Sequence, residues 1–141
     1  MPYIKQNEDG SLGVQGADLD DGGFIAINIE YNASSVDKQS FVAPRKYIVK
    51  NIIGKVTVAG TDAGAVTAAV KKSIDTQAVG AGTALHSGTM NLKGAAHTNQ
   101  TLTLSTTASD LEIPAGTAIG ADFTGVLTSA TGVITVILAP A

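Results

Sequence analysis

Apolar and polar residues alternate along most of this chain with a period of two. In Phe24–Tyr31, Ile25, Ile27, Ile29 and Tyr31 fall on one face and Asn28 and Glu30 on the other, the pattern of a half-buried strand. Phe41-Val42-Ala43 predicts a short strand stopped by Pro44. Residues 46–59 form the longest β-like run; upstream of Gly54, Ile48, Val49, Ile52 and Ile53 break strict alternation, which predicts a bulge or a strand that changes partner. Residues 60–64 read as a turn and 65–73 as the returning arm of a hairpin, with Val66, Ala68 and Val70 on one face. Further strands are expected at 84–92, 100–106, with Leu102 and Leu104 on one side, and 118–124, with Ile119, Ala121 and Phe123 on one side. Leu111–Thr117 reads as a strand end and tight turn, Pro114 setting φ and Gly116 supplying the bend. The closing run, 132–138, is apolar on both faces. Its residues Val133, Ile134, Val136, Ile137 and Leu138 are expected at the centre of a sheet or at a subunit contact. No segment has convincing helical periodicity. About eight strands at short, even spacing predict an all-β antiparallel sandwich over residues 24–141.

Residues 1–23 break the pattern. Turn-forming Asp, Asn and Gly isolate the apolar residues Ile4, Leu12, Val14 and Leu19, so this stretch reads as an extended N-terminal arm. It cannot build a core of its own, and the four apolar residues are its candidate anchors on another surface.

Composition narrows the classes. The 141 residues hold no Cys and no Trp, and only 15% are charged. That excludes a disulfide scaffold, a thiolate metal site and a cysteine nucleophile. A coiled coil, rich in Glu, Lys and Leu, is excluded as well. The charges are segregated. Residues 1–37 carry seven acids and Lys5, and residues 38–72 carry seven bases and Asp62. An acidic segment thus precedes a basic stretch, which suits either an intramolecular contact or contacts with different neighbours. No run of apolar residues is long enough to span a membrane, and no secretory leader is evident at the N-terminus, so cytoplasmic synthesis is expected.

The candidate chemistry is sparse. His86 and His97 stand beside Ser87 and Thr98, but no Gly-x-Ser-x-Gly elbow surrounds any serine, and both read as ordinary loop or strand-surface histidines. Asp18-Leu19-Asp20-Asp21-Gly22 is the best calcium candidate. An EF-hand loop from Asp18 would need Asp or Asn at 22 and Glu at 29, where the chain has Gly22 and Ile29, so a solvated turn is the better reading. Tyr47 lies within the basic band 45–55, yet the lysines there read as the wet face of a strand rather than a nucleic-acid site. No cofactor, metal or catalytic residue is expected. The profile is that of a structural or interaction protein.

Three segments carry a resemblance: Val56–Thr67, Gly82–Gly94, and Leu111–Thr117 continuing through Asp122–Gly125. They resemble the small β-sandwich virion proteins that decorate, or cement, the capsid of tailed bacteriophages. The likeness is one of pattern over residues 46–140. It implies a jelly-roll-like fold, no enzyme activity, a place on the outer capsid surface, and the major capsid protein as partner. It also implies a homo-oligomer, most often a trimer and otherwise a dimer. A phage fibre head or a carbohydrate-binding module is the alternative; it would need exposed Tyr or Phe beside Asn or Asp.

Overall fold

The computed structural model describes residues 23–141, together with the backbone of Lys5–Gln6 (β1) and Leu12–Gly13 (β2), which pair antiparallel. The further strands are β3 (Ile25–Tyr31), β4 (Lys38–Val42), β5 (Tyr47–Val58), β6 (Thr67–Ser73), β7 (Thr83–Ala84), β8 (Met90–Asn91), β9 (Asn99–Thr101), β10 (Glu112–Ile113), β11 (Ala118–Thr124) and β12 (Thr131–Pro140). Two single-turn 3₁₀ helices, Val79–Ala81 and Ala108–Leu111, are the helical elements. All pairings are antiparallel.

The first sheet runs β10–β5–β12–β3, with β9 sharing the edge of β5 beside β10. The second runs β4–β11–β6–β7, with β8 sharing the edge of β6. The short strands double up at these edges, so beyond β1 and β2 there are eight strand positions, the number the alternation predicts. The last two long strands are each inserted between earlier ones, β12 between β3 and β5 and β11 between β4 and β6. The chain therefore wraps both sheets together, and the all-β sandwich is jelly-roll-like.

The core forms between the sheets. Ile29, Ile52, Val56, Ile134, Val136 and Leu138 project from the first sheet and meet Val66, Ala68, Val70, Ile119 and Ala121 from the second. The even spacing within each strand does this directly: alternate residues share a face, and the apolar set faces inward. Two ring pairs fill the wider parts, Tyr31 with Phe123 and Phe41 with Tyr47.

Two expectations are corrected. Residues 46–59 and 65–73 do not form a hairpin: β5 lies in the first sheet and β6 in the second. The connection leaves the β5 ladder because its amides are bonded elsewhere, Gly60 to the Leu92 carbonyl and Thr61 to the Thr128 carbonyl. The break in alternation over residues 48–53 of β5 is a bulge. The register against β12 slips between Ile137 and Leu138, where their partners are Asn51 and Val49, leaving Lys50 as the extra residue. The other correction is at 84–92, which is two short strands on the edge of β6 rather than one long one, because between them the chain leaves that edge to bridge Leu104 through His86 and bond Thr103 through Ser87.

Candidate functional site

The two long sides of the sandwich differ. On one side, hydrogen bonds run from sheet to sheet. The Leu85 amide donates to Val70 of β6, and the Leu85 carbonyl accepts from Ser105. Three residues earlier on that second segment, the Leu102 amide donates to Ile52 of β5. On the other side β3 and β4 are edge strands, linked by a loop whose Asp37 carboxylate accepts from the Phe123 amide at 2.7 Å. Lys38 reaches back across this side to the Glu30 carbonyl. The sandwich is thus laced on one side and presents two strand edges on the other.

The two outer faces also differ. Over the second sheet, the chain covers itself with residues 74–82. Val79 is buried there, and Lys71 bonds both the Asp122 carboxylate at 2.6 Å and the Gly80 carbonyl at 3.0 Å. Over the first sheet no described segment covers the face, which is open in that sense. Ala26, Asn28, Glu30 and Lys55 are exposed, and Val133, Thr135 and Ile137 between them are half-buried.

The register sets the residues of this open face in rows across β3, β12 and β5. One row is Glu30, Val133, Lys55; the next is Asn28, Thr135, Ile53; the third is Ala26, Ile137, Asn51. Thr135 donates to the Asn28 side chain at 2.7 Å, which fixes the middle row. Among the described residues no ion pair engages Glu30 or Lys55.

The expected subunit-contact set divides here. Ile134, Val136 and Leu138 point inward and are wholly buried within one chain, so they cannot meet a neighbour. Val133 and Ile137 lie on the outer face and are accessible. The arm anchors Ile4, Val14 and Leu19 fall outside the described residues, as do the acidic turn 18–22 and the side chain of Leu12.

The titratable groups mostly hold the fold. His86 is buried, contrary to the surface position expected for it. Its Nε2 accepts from the Val70 amide at 2.9 Å and its Nδ1 lies 3.1 Å from the Ser87 carbonyl. Burial lowers its pKa, opposed by hydrogen bonds with the backbone of Ser87 and Gly88. Ser87 directs its hydroxyl at the Thr103 carbonyl, so the Ser-His neighbours form no catalytic pair. His97 is exposed in a left-handed turn. Lys72 bonds the Ser109 and Glu112 carbonyls; burial lowers its pKa, while Asp110 and Glu112 pull the other way. Lys46 and Glu112 pair at 3.3 Å in solvent.

Among the described residues no three His, Asp or Glu converge as a metal site, no cavity opens, and no helix is long and apolar enough to cross a membrane. Tyr47 is buried, with the Arg45 guanidinium 6.0 Å from its ring centre, and so offers no stacking surface to a nucleic acid. Four of the five described rings pack in pairs, leaving Phe24 as the exposed one. Comparison with protein-family models, curated proteins and solved structures gave no match.

The sequence could not have disclosed the open face. Val133 and Ile137 look like core residues in a strand that is apolar on both sides. Their exposure follows from which sheet face the 74–82 loop happens to cover.

Proposed function

We propose that this chain is a structural virion protein that decorates the outer surface of a tailed-bacteriophage capsid and cements neighbouring major capsid proteins. The observation that carries the reading is the open outer face of the first sheet, beside a side with two strand edges. These are surfaces for another protein, while the chemistry-bearing side chains His86, Lys71, Lys72 and Asp122 are engaged inside the fold. The pattern resemblance of segments 56–67, 82–94 and 111–125 supports the same reading.

In this role the sandwich is a rigid body made in the host cytoplasm and captured on the assembled shell. Its neighbours are contacted through sheet edges, a sheet face and the N-terminal arm, whose Ile4, Leu12, Val14 and Leu19 are the anchors. Each contact is weak alone. Many copies on a closed lattice, each touching more than one capsid protein, make the sum effective. The role is binding rather than catalysis. No observation favours the glycan-binding alternative, because four of the five described rings pack in pairs and Phe24 alone makes no aromatic platform.

The test is co-sedimentation with the mature capsids of the phage that encodes the chain, stripped of their own decoration protein. Saturable binding of the full-length protein is expected, with loss of binding on deletion of residues 1–23 and retention of the β circular-dichroism signal. Absence of binding by the full-length protein would overturn the reading. Binding that survives the deletion would remove the arm from it.

A further inference from the structure

The open face of the first sheet is complementary to itself. β12 runs down its centre and its accessible outward residues, Thr131, Val133, Thr135 and Ile137, carry no charge. One strand to either side, in the same row, stand Glu30 on β3 and Lys55 on β5. Both are exposed, and neither has an ionic partner among the described residues.

We propose that a second copy of this chain packs on this face about a two-fold axis running along β12. Two sheets packed face to face lie about 10 Å apart with their strands nearly aligned. Rotation about an axis along β12 places β3 of one copy over β5 of the other without shifting the rows. Glu30 of each copy then faces Lys55 of its mate, so the pair is made twice. Val133 and Ile137, on the axis, meet their own counterparts. A residue on a two-fold axis meets itself, so a charge there would repel its copy, and this strand has none on its outer face. Self-pairing of one patch closes at two copies. A three-fold ring joins two different patches and makes no use of this symmetry. The inference concerns the purified protein alone, so it stands or falls separately from the capsid reading.

The experiment measures the solution mass of the full chain by light scattering across a concentration series. The wild type is expected to approach twice the 14.2 kDa chain mass as concentration rises. Glu30→Lys alone or Lys55→Glu alone sets like charges face to face twice. Each is expected to weaken dimerisation roughly tenfold or more, with greater sensitivity to salt. Mixing the two variants restores opposite signs at both positions, and dimers should reappear as one-to-one heterodimers. Val133→Asp, which brings a carboxylate onto the axis, should also give a monomer; an unchanged β signal confirms that each variant is folded. A wild type that stays monomeric, as capture of the face by the chain's own N-terminal segment would cause, overturns the proposal. So does a trimer, or single variants that remain dimeric, or a mixture that stays monomeric.

Discussion

The His86 imidazole takes the place of a backbone carbonyl in the ladder of β6: its Nε2 accepts the Val70 amide at 2.9 Å. The carbonyl that would serve, that of Leu85, has turned to accept from Ser105. Here the chain leaves one sheet to join the segment that leads to the other, and the side chain fills the vacancy this creates. Because Val70 donates, the neutral ring carries its proton on Nδ1, toward Ser87. Replacing His86 by Leu keeps the bulk and orphans a buried amide, at a cost of about 1–3 kcal/mol in urea denaturation near neutral pH. The pH dependence has a definite sign. Burial lowers the folded pKa below the ordinary 6.5, so the unfolded chain takes up a proton first as pH falls. The stability His86 gives is complete above 6.5 and declines below it, so the gap between wild type and H86L should narrow on acidification. A gap that is constant or widens would contradict this assignment.

His86 also marks where sequence reading stops. Strand positions were legible because alternation is a local property: Ile25, Ile27, Ile29 and Tyr31 announce their shared face, and β11 and the Pro114–Thr117 turn lie where the pattern puts them. Pairing partners were not legible. The 60–64 turn looks like a hairpin bend, yet it joins the two sheets, because its amides bond Leu92 and Thr128, remote in sequence. The start of β4 was hidden in the polar run Lys38-Gln39-Ser40, where Gln39 is engaged by Ser73 and Gln77 across the second sheet. The same limit applies to the candidate surface. Periodicity places Val133 and Ile134 on opposite faces of β12 but does not say which face the sandwich encloses.

Tyr31 and Gly132 are cross-strand neighbours, and the ring lies over the glycine. A Cβ at Gly132 would fall 2.5 Å from the Tyr31 oxygen and 2.8 Å from Cζ, so Gly132→Ala should cost about 1–3 kcal/mol by overpacking. The hydroxyl itself is buried without a hydrogen-bond partner among the described residues, and burial raises its pKa to about 12. Removing it as Tyr31→Phe should be neutral, or stabilising by up to about 1 kcal/mol. In the wild type the unfolded tyrosine ionises first, near 10, so stability should fall as pH rises from there through 12, and less so in Y31F. A Y31F variant clearly less stable at neutral pH would show that the hydroxyl has a partner after all.

Gly54 of β5 faces Met90 of β8 across the core. A Cβ at Gly54 would run into the Met90 Sδ and lie 2.5 Å from its methyl carbon. Gly54→Ala should therefore cost about 1–3 kcal/mol, and Met90→Ala about 2–5 kcal/mol through the cavity it leaves. Together the changes should partly cancel, since the new methyl enters the vacated space. A double-mutant cycle by chemical denaturation should give at least about 1 kcal/mol of favourable coupling. Strict additivity would mean that the two residues do not share this contact.

Adjacent lysines on β6 serve opposite faces of the second sheet. Lys71 reaches outward to Asp122 and the Gly80 carbonyl, holding residues 74–82 over the sheet, while Lys72 turns to the Ser109 and Glu112 carbonyls at the other 3₁₀ turn. The Lys71–Asp122 pair is mostly shielded, with side-chain exposures of 18% and 22%, so it is worth more than a surface pair. Lys71→Met should leave Asp122 unpaired and cost about 1–3 kcal/mol. Its effect should be local before it is global. The Ala81 and Gly82 amides, bonded to Ala78 and Val79, should exchange with solvent deuterium about tenfold faster. Lys72→Met should instead loosen the Asp110 amide, which is bonded to Thr107. If both variants accelerated the same amides, the lysines would be acting through overall stability, and the 74–82 cover would not depend on Lys71. If only the Lys71 change frees the cover, then a single ion pair keeps the second sheet's outer face shut while the first sheet's remains available for contact.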